Sequence, residues 1–450
     1  MEVLIYAGQL ILGLSILVAL HEFGHFLPAK LFGMRVEKFF LFFDWPYALL
    51  KKKIGDTVYG IGALPFGGYV KIAGMVDESM DAEQKERMKR PPEPWEFRAK
   101  PVWQRLIVMV GGVTVNVLLA FAIYSMVLFV WGREYLPVRN LTYGVSPSAL
   151  MMAEGFRDGD RILDVEGREP KTLGDVSLAI LIDGARHVTV ERDNELGAPE
   201  KKQIELSRDI QERILEANEK VLFTPRFPFY VDSVIAGNNA AKSGGFRSGD
   251  RIIAVNGEPT RYFDDFVEAV KDRKGQRVEV TLLRSGHEVR VPVDVDAAGI
   301  VGLQPRSPSE YFTFATEKFS LLSSIPAGIQ YGWQRLKDNV SSFKLLGSTA
   351  GMKQMGGLIA MSKAYGPQWV WSRFWEMTAF LSLALAVLNI LPIPALDGGH
   401  VVFLLYEAVA RKPAPQKVLE YAQMMGMAFL LTVILAVNGH DIVKLVTGSL

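Results

Sequence analysis

The chain has 450 residues, 49% of them hydrophobic and 22% charged, with 50 Lys+Arg against 49 Asp+Glu, a formal net charge of +1 and no cysteine. The apolar fraction excludes a disordered chain, the lack of a basic excess argues against a nucleic-acid partner, and the lack of cysteine excludes disulfides, thiolate-held metals and a thiol nucleophile. A mean hydropathy of +0.16 beside ordinary charge content indicates a few very apolar segments diluted by soluble sequence, and any metal must be held by His and carboxylates.

Leu4 to Leu20 is apolar or small apart from Gln9 and Ser15, and apolar residues resume after His21 and Glu22. That length predicts a membrane-spanning helix over 1–27. Glu2 at the amino end and the lack of a small-residue cleavage site argue against a secretory signal peptide. A basic loop, 28–105, follows. Within it, alternation and glycines around 55–75 predict a hairpin with exposed edges. The polar stretch from Asp77 to Lys100 reads as a solvated helix and a Pro-rich turn, with a membrane-surface contact as the sharper alternative. Residues 106–131 contain no charge and only one strongly polar side chain, Asn116, and form the second span.

Next comes a tandem repeat. Gly155-Phe156-Arg157-Asp158-Gly159-Asp160-Arg161-Ile162 recurs as Gly245-Phe246-Arg247-Ser248-Gly249-Asp250-Arg251-Ile252, an offset of 90 residues, which is a domain-sized period. Each copy reads as a turn, an alternating strand and a second turn. The pattern resembles PDZ domains appended to bacterial membrane proteases, and implies two β-rich domains, 138–222 and 223–306. Such folds bind extended peptides or carboxyl termini at a sheet edge; the plainer reading is a rigid spacer. The first copy looks the weaker binder because of Pro147, whereas Gly237, Gly244 and Gly245 flank a plausible binding loop in the second. Over 309–373, charged and apolar positions interleave at helical spacing from Gly332 to Lys344, and Gly347, Gly351, Gly356 and Gly357 follow. This predicts an amphipathic segment on the outer membrane surface, or else a solvated linker helix.

A third span, 374–397, carries Asn389 and is broken by Pro392 and Pro394; a fourth, Met-rich, covers 421–438. The fold class is therefore a polytopic α-helical membrane protein with two β-rich domains between spans two and three. Lys30, Arg35, Lys38, Lys51, Lys52, Lys53, Arg98, Lys100 and Arg105 put the first loop in the cytoplasm, and Arg411, Lys412 and Lys417 do the same for the loop between spans three and four. Both termini and the repeats are then outside.

His21-Glu22-Phe23-Gly24-His25 is an H-E-x-x-H pattern. Residues four apart share one helix face, so both imidazoles can reach one Zn²⁺ while Glu22 is placed to take a proton from an attacking water. Ionisable groups at the end of an apolar span are costly, and a partner stands at the end of span three, in Leu388-Asn389-Ile390-Leu391-Pro392-Ile393-Pro394-Ala395-Leu396-Asp397-Gly398-Gly399-His400. The prolines leave backbone groups unpaired at membrane depth, which implies a cavity. Spans one and three run in the same direction, so these groups fall at one membrane face. Two His and one more ligand with an open position describe a catalytic site. Spacing alone does not choose between Asp397 and His400.

H-E-F-G-H in the first span, L-N-x-x-P-x-P-x-L-D-G-G in the third and the repeats between spans two and three resemble the site-2 protease family of intramembrane zinc metalloproteases, closest to the bacterial type with tandem PDZ domains. The resemblance covers essentially the whole chain. It implies one Zn²⁺ per chain on His21, His25 and Asp397, Glu22 as the catalytic base, and a substrate-contacting or oxyanion role for Asn389. Tyr59 to Lys71 resembles the family's membrane-dipping β-loop, which implies that Gly60, Gly62, Gly67, Gly68 and Tyr69 hold substrate as an extended strand. Gly112 to Asn116 resembles a G-P-x-x-N element with Val113 in place of Pro; Asn116, Pro392 and Pro394 are then support or gating residues, the alternative for Asn116 being a simple interhelical hydrogen bond. The implied substrates are single-span membrane proteins trimmed beforehand by another protease, such as anti-sigma factors, and signal-peptide remnants. The implied setting is the bacterial inner membrane with its lipid, with PDZ domains in the periplasm and the active site towards the cytoplasm. The rivals are an inactive PDZ-bearing scaffold and a metal transporter. The latter would need polar sites along several helices, and spans two and four offer little beyond Asn116.

Overall fold

The computed structural model describes residues 2–75, 90–194, 197–217, 219, 221–235, 238–345 and 356–446; the stretch 76–89, Gly237, Gly347 and Gly351 lie outside the described residues. The chain divides into two compact units, one of Met1–Gly132 with Lys318–Leu445, the other of Arg133–Glu317.

The first unit contains α1 (Glu2–Leu31), β1 (Val36–Ile54), β2 (Thr57–Ile72), α2 (Val102–Val130), α3 (Leu321–Leu345), α4 (Leu358–Ala364), α5 (Trp371–Ile390), α6 (Asp397–Ala410) and α7 (Gln416–Val446). Four helices, α1, α2, α5 and Lys417–Val443 within α7, are long and apolar enough to cross a membrane. Their outward faces expose Leu12, Leu118, Phe380 and Leu435, and lipid is the solvent that suits such faces.

Packing inside this unit depends on small residues. A Cβ added at Gly24 would lie 2.5 Å from the Gly111 carbonyl oxygen, so α1 and α2 touch backbone to backbone. Ala120, Ile123 and Tyr124 of α2 meet Ala379 and Leu383 of α5, and Tyr331 and Leu336 of α3 close that cluster. The helix expected on the membrane surface therefore packs against the spans, while Leu322, Ile325, Ile329 and Trp333 face outward. Tyr365 is fully buried between α1 and α5, and its hydroxyl is 3.3 Å from Thr378 Oγ1.

The sheet begins at Val36, well before 55, and is more than a hairpin. Phe39 lies opposite both Val70 and Tyr59, Phe40 opposite Tyr69 and Gly60, and Leu41 opposite Gly68 and Ile61, while Ala48–Ile54 folds back on Thr57–Gly62. The glycine signal in the sequence marks β2 only; the aromatic run Phe39 to Phe43 carries no alternation to betray β1. The broken span also differs from expectation. It stops at Ile390, and after a short turn Asp397 opens a new helix, α6, where the sequence reading had a loop.

The second unit carries the repeat. In the first copy, strands Arg161–Val165, His187–Asp193 and Pro199–Glu205 form a sheet, and helix Leu173–Leu181 packs Val176 and Ile180 into the same core. In the second, Arg251–Val255, Arg277–Arg284 and His287–Asp294 pair in the same order, and helix Phe263–Lys271 contributes Phe266 and Val270. The repeated Asp explains the motif. Asp160 is fully buried, accepts from Arg157 N (2.8 Å) and takes a two-pronged ion pair from Arg192 (2.6 and 2.7 Å), which also donates to the Gly155 carbonyl. Asp250 does the same with Arg247 N (2.7 Å), Arg284 (2.7 and 2.6 Å) and the Gly245 carbonyl. Asp158 of the first copy approaches Asp264 and Asp265 of the second, but Arg226 donates to both Asp264 and Asp265, so an arginine already meets the charge of those two acids.

Candidate metal centre

Three ligand atoms converge where α1 and α6 meet beside α2. His21 Nε2 and His25 Nε2 are 3.3 Å apart, and Asp397 Oδ2 is 3.3 Å from the first and 3.4 Å from the second. His400, the other candidate third ligand, is not in the trio. Ligand atoms about 2.0–2.1 Å from a common tetrahedral centre are spaced by about 3.3–3.4 Å, so the trio fits a zinc ion. Asp397 Oδ2 is buried with no hydrogen-bond donor among the described residues, which an ion between the three groups would remedy.

Each arm of the trio has a local cause. Helical spacing on α1 stacks His21 over His25, one turn apart. Asp397 is the first residue of α6, and the break before it is satisfied by short turns: Ile393 N donates to Leu391 O (2.7 Å), Leu396 N to Ile393 O (3.0 Å) and Gly399 N to Leu396 O (3.0 Å). Pro392 and Pro394 thus end α5 without leaving those groups bare. Ala395 adopts φ 78°, a left-handed conformation uncommon for a residue with a Cβ. Gly398 and Gly399 are required for packing; a Cβ on Gly399 would sit 2.6 Å from the Ile393 carbonyl oxygen. Arg105 of α2 clamps the far end of α6 by paired bonds to Glu407 (2.6 and 3.0 Å).

The surroundings of the imidazoles are ordered as well. His25 Nδ1 is 2.8 Å from the Val108 carbonyl oxygen, His21 Nδ1 is 3.2 Å from the Asn116 amide, and the Asn389 amide is 3.3 Å from His21 Nε2. Glu22 lies under the edge of β2, and the Val70 N–H donates to its carboxylate. A Cβ at Gly68 would lie 2.7 Å from Val18 Cγ1 and 3.3 Å from Glu22 Cγ, so a side chain there would push the strand off α1.

The structure thus brings His21, Glu22, His25, Asn116, Asn389, Asp397 and Gly68 together. Gly60 and Gly62 instead lie within the sheet, where an added Cβ would come 2.9 Å from Leu50 O and 2.7 Å from Asp44 N of β1, respectively. Gly67 adopts φ 138°, and Tyr69 stacks on Phe40 with its hydroxyl accepting from Lys38 Nζ (3.2 Å). In the second repeat, Gly244 ends helix Asn239–Ser243 at φ 66° and Gly245 packs on Val291, which accounts for both glycines without a ligand. Sequence reasoning missed the Val108 carbonyl, the Val70 N–H and the Arg105–Glu407 clamp: two are backbone groups and the third joins residues 302 apart.

The model of peptidase family M50 matches residues 9–433. The chain is 29% identical to a candidate zinc metalloprotease of Vibrio cholerae, over 97% of this chain and 98% of that one. It is 27% identical to the regulator of sigma-E protease RseP of Salmonella typhimurium (93% of this chain, 94% of the relative) and 26% identical to RseP of Escherichia coli (94% and 95%).

Proposed function

The chain belongs to peptidase family M50, the site-2 protease family of membrane metalloproteases, and from that premise we propose that it hydrolyses peptide bonds inside the membrane-spanning segments of single-span proteins already trimmed by another protease. Anti-sigma factors are one such class, and signal-peptide remnants a second. One zinc per chain would be held by His21, His25 and Asp397 and, when bound, would supply Lewis acidity for the scissile carbonyl and a water of pKa about 7. Glu22 takes the proton of the attacking water and returns it to the leaving amine, a role typically worth about 10²–10⁴ in rate. The Asn389 amide donates to the oxyanion, a contribution of about 2.7–4 kcal/mol in comparable sites.

A helical substrate hides its carbonyls in hydrogen bonds and must first unwind. The edge of β2 from Gly67 to Tyr69 offers replacement bonds beside Glu22, with Gly60 and Gly62 letting β1 and β2 pack closely behind it. The two repeats of the second unit act as PDZ domains that exclude bulky precursors and take peptide or carboxyl-terminal ligands. The protein sits in the bacterial inner membrane with the repeats and both termini outside and the metal centre towards the cytoplasm, a reading that the basic loops support.

One observation carries this reading: three ligand atoms from two helices at mutual spacings of 3.3–3.4 Å with Glu22 alongside. The test is cleavage of a panel of single-span substrates truncated to different outer lengths, by the full protein, by Glu22→Gln and by a form lacking Arg133–Glu317. The full protein cuts only the short ones, Glu22→Gln retains zinc but cuts none, and the shortened form also accepts the long ones. Turnover by purified Glu22→Gln removes the assignment of the base.

A further inference from the structure

One face of α2 has a role beyond packing. Val108, Gly112 and Asn116 are four residues apart in sequence and so form a single stripe along the helix. The middle residue clears the way: a Cβ on Gly112 would fall 2.6 Å from His21 Cε1 and against the His25 ring. The outer two converge on the imidazoles from opposite directions. A helix carbonyl points towards the C-terminus, and a side chain leans towards the N-terminus, so the Val108 carbonyl and the Asn116 amide meet near the level of Gly112 although eight positions separate them. They reach His25 Nδ1 at 2.8 Å and His21 Nδ1 at 3.2 Å.

We propose that this stripe is the outer coordination shell of the metal centre, and that Asn116 is a positioning residue whose side-chain Oδ1 accepts a hydrogen bond from the His21 Nδ1–H. The inference rests on the zinc reading given above. If Nε2 binds the ion through its lone pair, Nδ1 must carry the hydrogen, and whatever faces Nδ1 must accept it. Val108 offers only an acceptor. Asn116 offers an acceptor only if its oxygen is turned to the ring; with nitrogen there, Oδ1 is buried without a donor. The residue is also held in place from a third helix, since Ser382 Oγ of α5 donates to its backbone carbonyl at 2.7 Å. A simple interhelical hydrogen bond would not need its acceptor turned to the ring, whereas fixing the His21 tautomer does.

The two roles separate in a zinc competition titration of the full-length protein in detergent against a chromophoric chelator, comparing wild type, Asn116→Asp, Asn116→Leu and His21→Ala. Asn116→Asp keeps an acceptor and holds zinc within a few-fold of wild type; Asn116→Leu keeps the volume, loses the acceptor and weakens zinc by about 10- to 100-fold, the usual effect of removing an outer-shell partner. Asn116→Ala replaces the leucine variant if that one fails to fold. Equal weakening by aspartate and leucine, or no weakening by leucine, overturns the proposal. A wild-type affinity indifferent to His21→Ala removes the zinc reading itself, and this inference with it.

Discussion

Glu154 shows how one carboxylate ties a repeat together. It is nearly buried, and burial alone would raise its pKa, but the Ser207 hydroxyl and N–H (2.7 Å) and the Arg213 guanidinium (2.6 Å) hold it below the usual carboxylate range. A carboxylate whose folded pKa is depressed contributes stability that is present above its unfolded value, near 4.5, and is lost as pH falls through the folded value. Glu154→Gln should therefore destabilise the second unit at pH 7 by about 1.5–3 kcal/mol, the usual worth of bonds to a charged group. The gap between the melting temperatures of variant and wild type should narrow as pH falls below 4.5 and close once pH passes the lower folded value, where the wild type loses the same charge. A gap of constant size across that range would mean that shape rather than charge carries the contact. The residue scale is also where the sequence was most legible at the metal centre. His21, Glu22 and His25 are contiguous on a helix, and an acid after two prolines at a membrane end is rare enough to be noticed. The spacing could not choose between Asp397 and His400, because the choice depends on where α6 begins.

At the scale of elements, α6 is that missing piece, and its concealment has a physical reason. Its 14 residues are too few to span and too apolar to look like a loop, and they follow two prolines and open with two glycines, signals of an end rather than a beginning. The spans were legible because uninterrupted apolar sequence has few other uses. The course of β1 was hidden because its pairing doubles on β2 through register, which composition does not encode. Since α6 presents Asp397 from its first residue, whatever fixes its axis fixes the ligand. The Arg105–Glu407 pair does so from α2, with side chains only 10% and 19% exposed. Arg105→Leu leaves Glu407 largely buried and unpaired, and Glu407→Leu does the converse. Each should lower stability by about 3–5 kcal/mol and weaken zinc binding. The double leucine variant should regain much of the stability, because no lone charge remains. Thermal melts together with metal analysis check this; single and double variants of equal stability would show that the pair does not hold α6.

For the whole molecule, the division into two units predicts that folding of one repeat and loading of the metal are separable. Every ligand and every neighbour of the trio, from Val108 and Asn116 to Asn389, belongs to the unit of Met1–Gly132 and Lys318–Leu445. The repeats have their own cores, around Ile162 and Val188 in the first and Ile252 and Val280 in the second, with a buried Asp paired to a partly exposed Arg in each. That much was legible in the repeated G-D-R-I motif, although the arginine that completes each pair comes from a later strand and had to be seen in the fold. Asp250→Asn removes the charge that meets Arg284, a side chain about a quarter exposed (24%), and should destabilise the second repeat by about 1.5–3 kcal/mol. Hydrogen exchange should then report loss of protection across Arg251–Val255 and Arg277–Arg284, while protection in α1 and α5 and the zinc content stay at wild-type levels. Only the long substrates of the cleavage panel should change in rate, becoming better substrates as the sieve loosens. Zinc lost together with the repeat would mean that the two units fold as one.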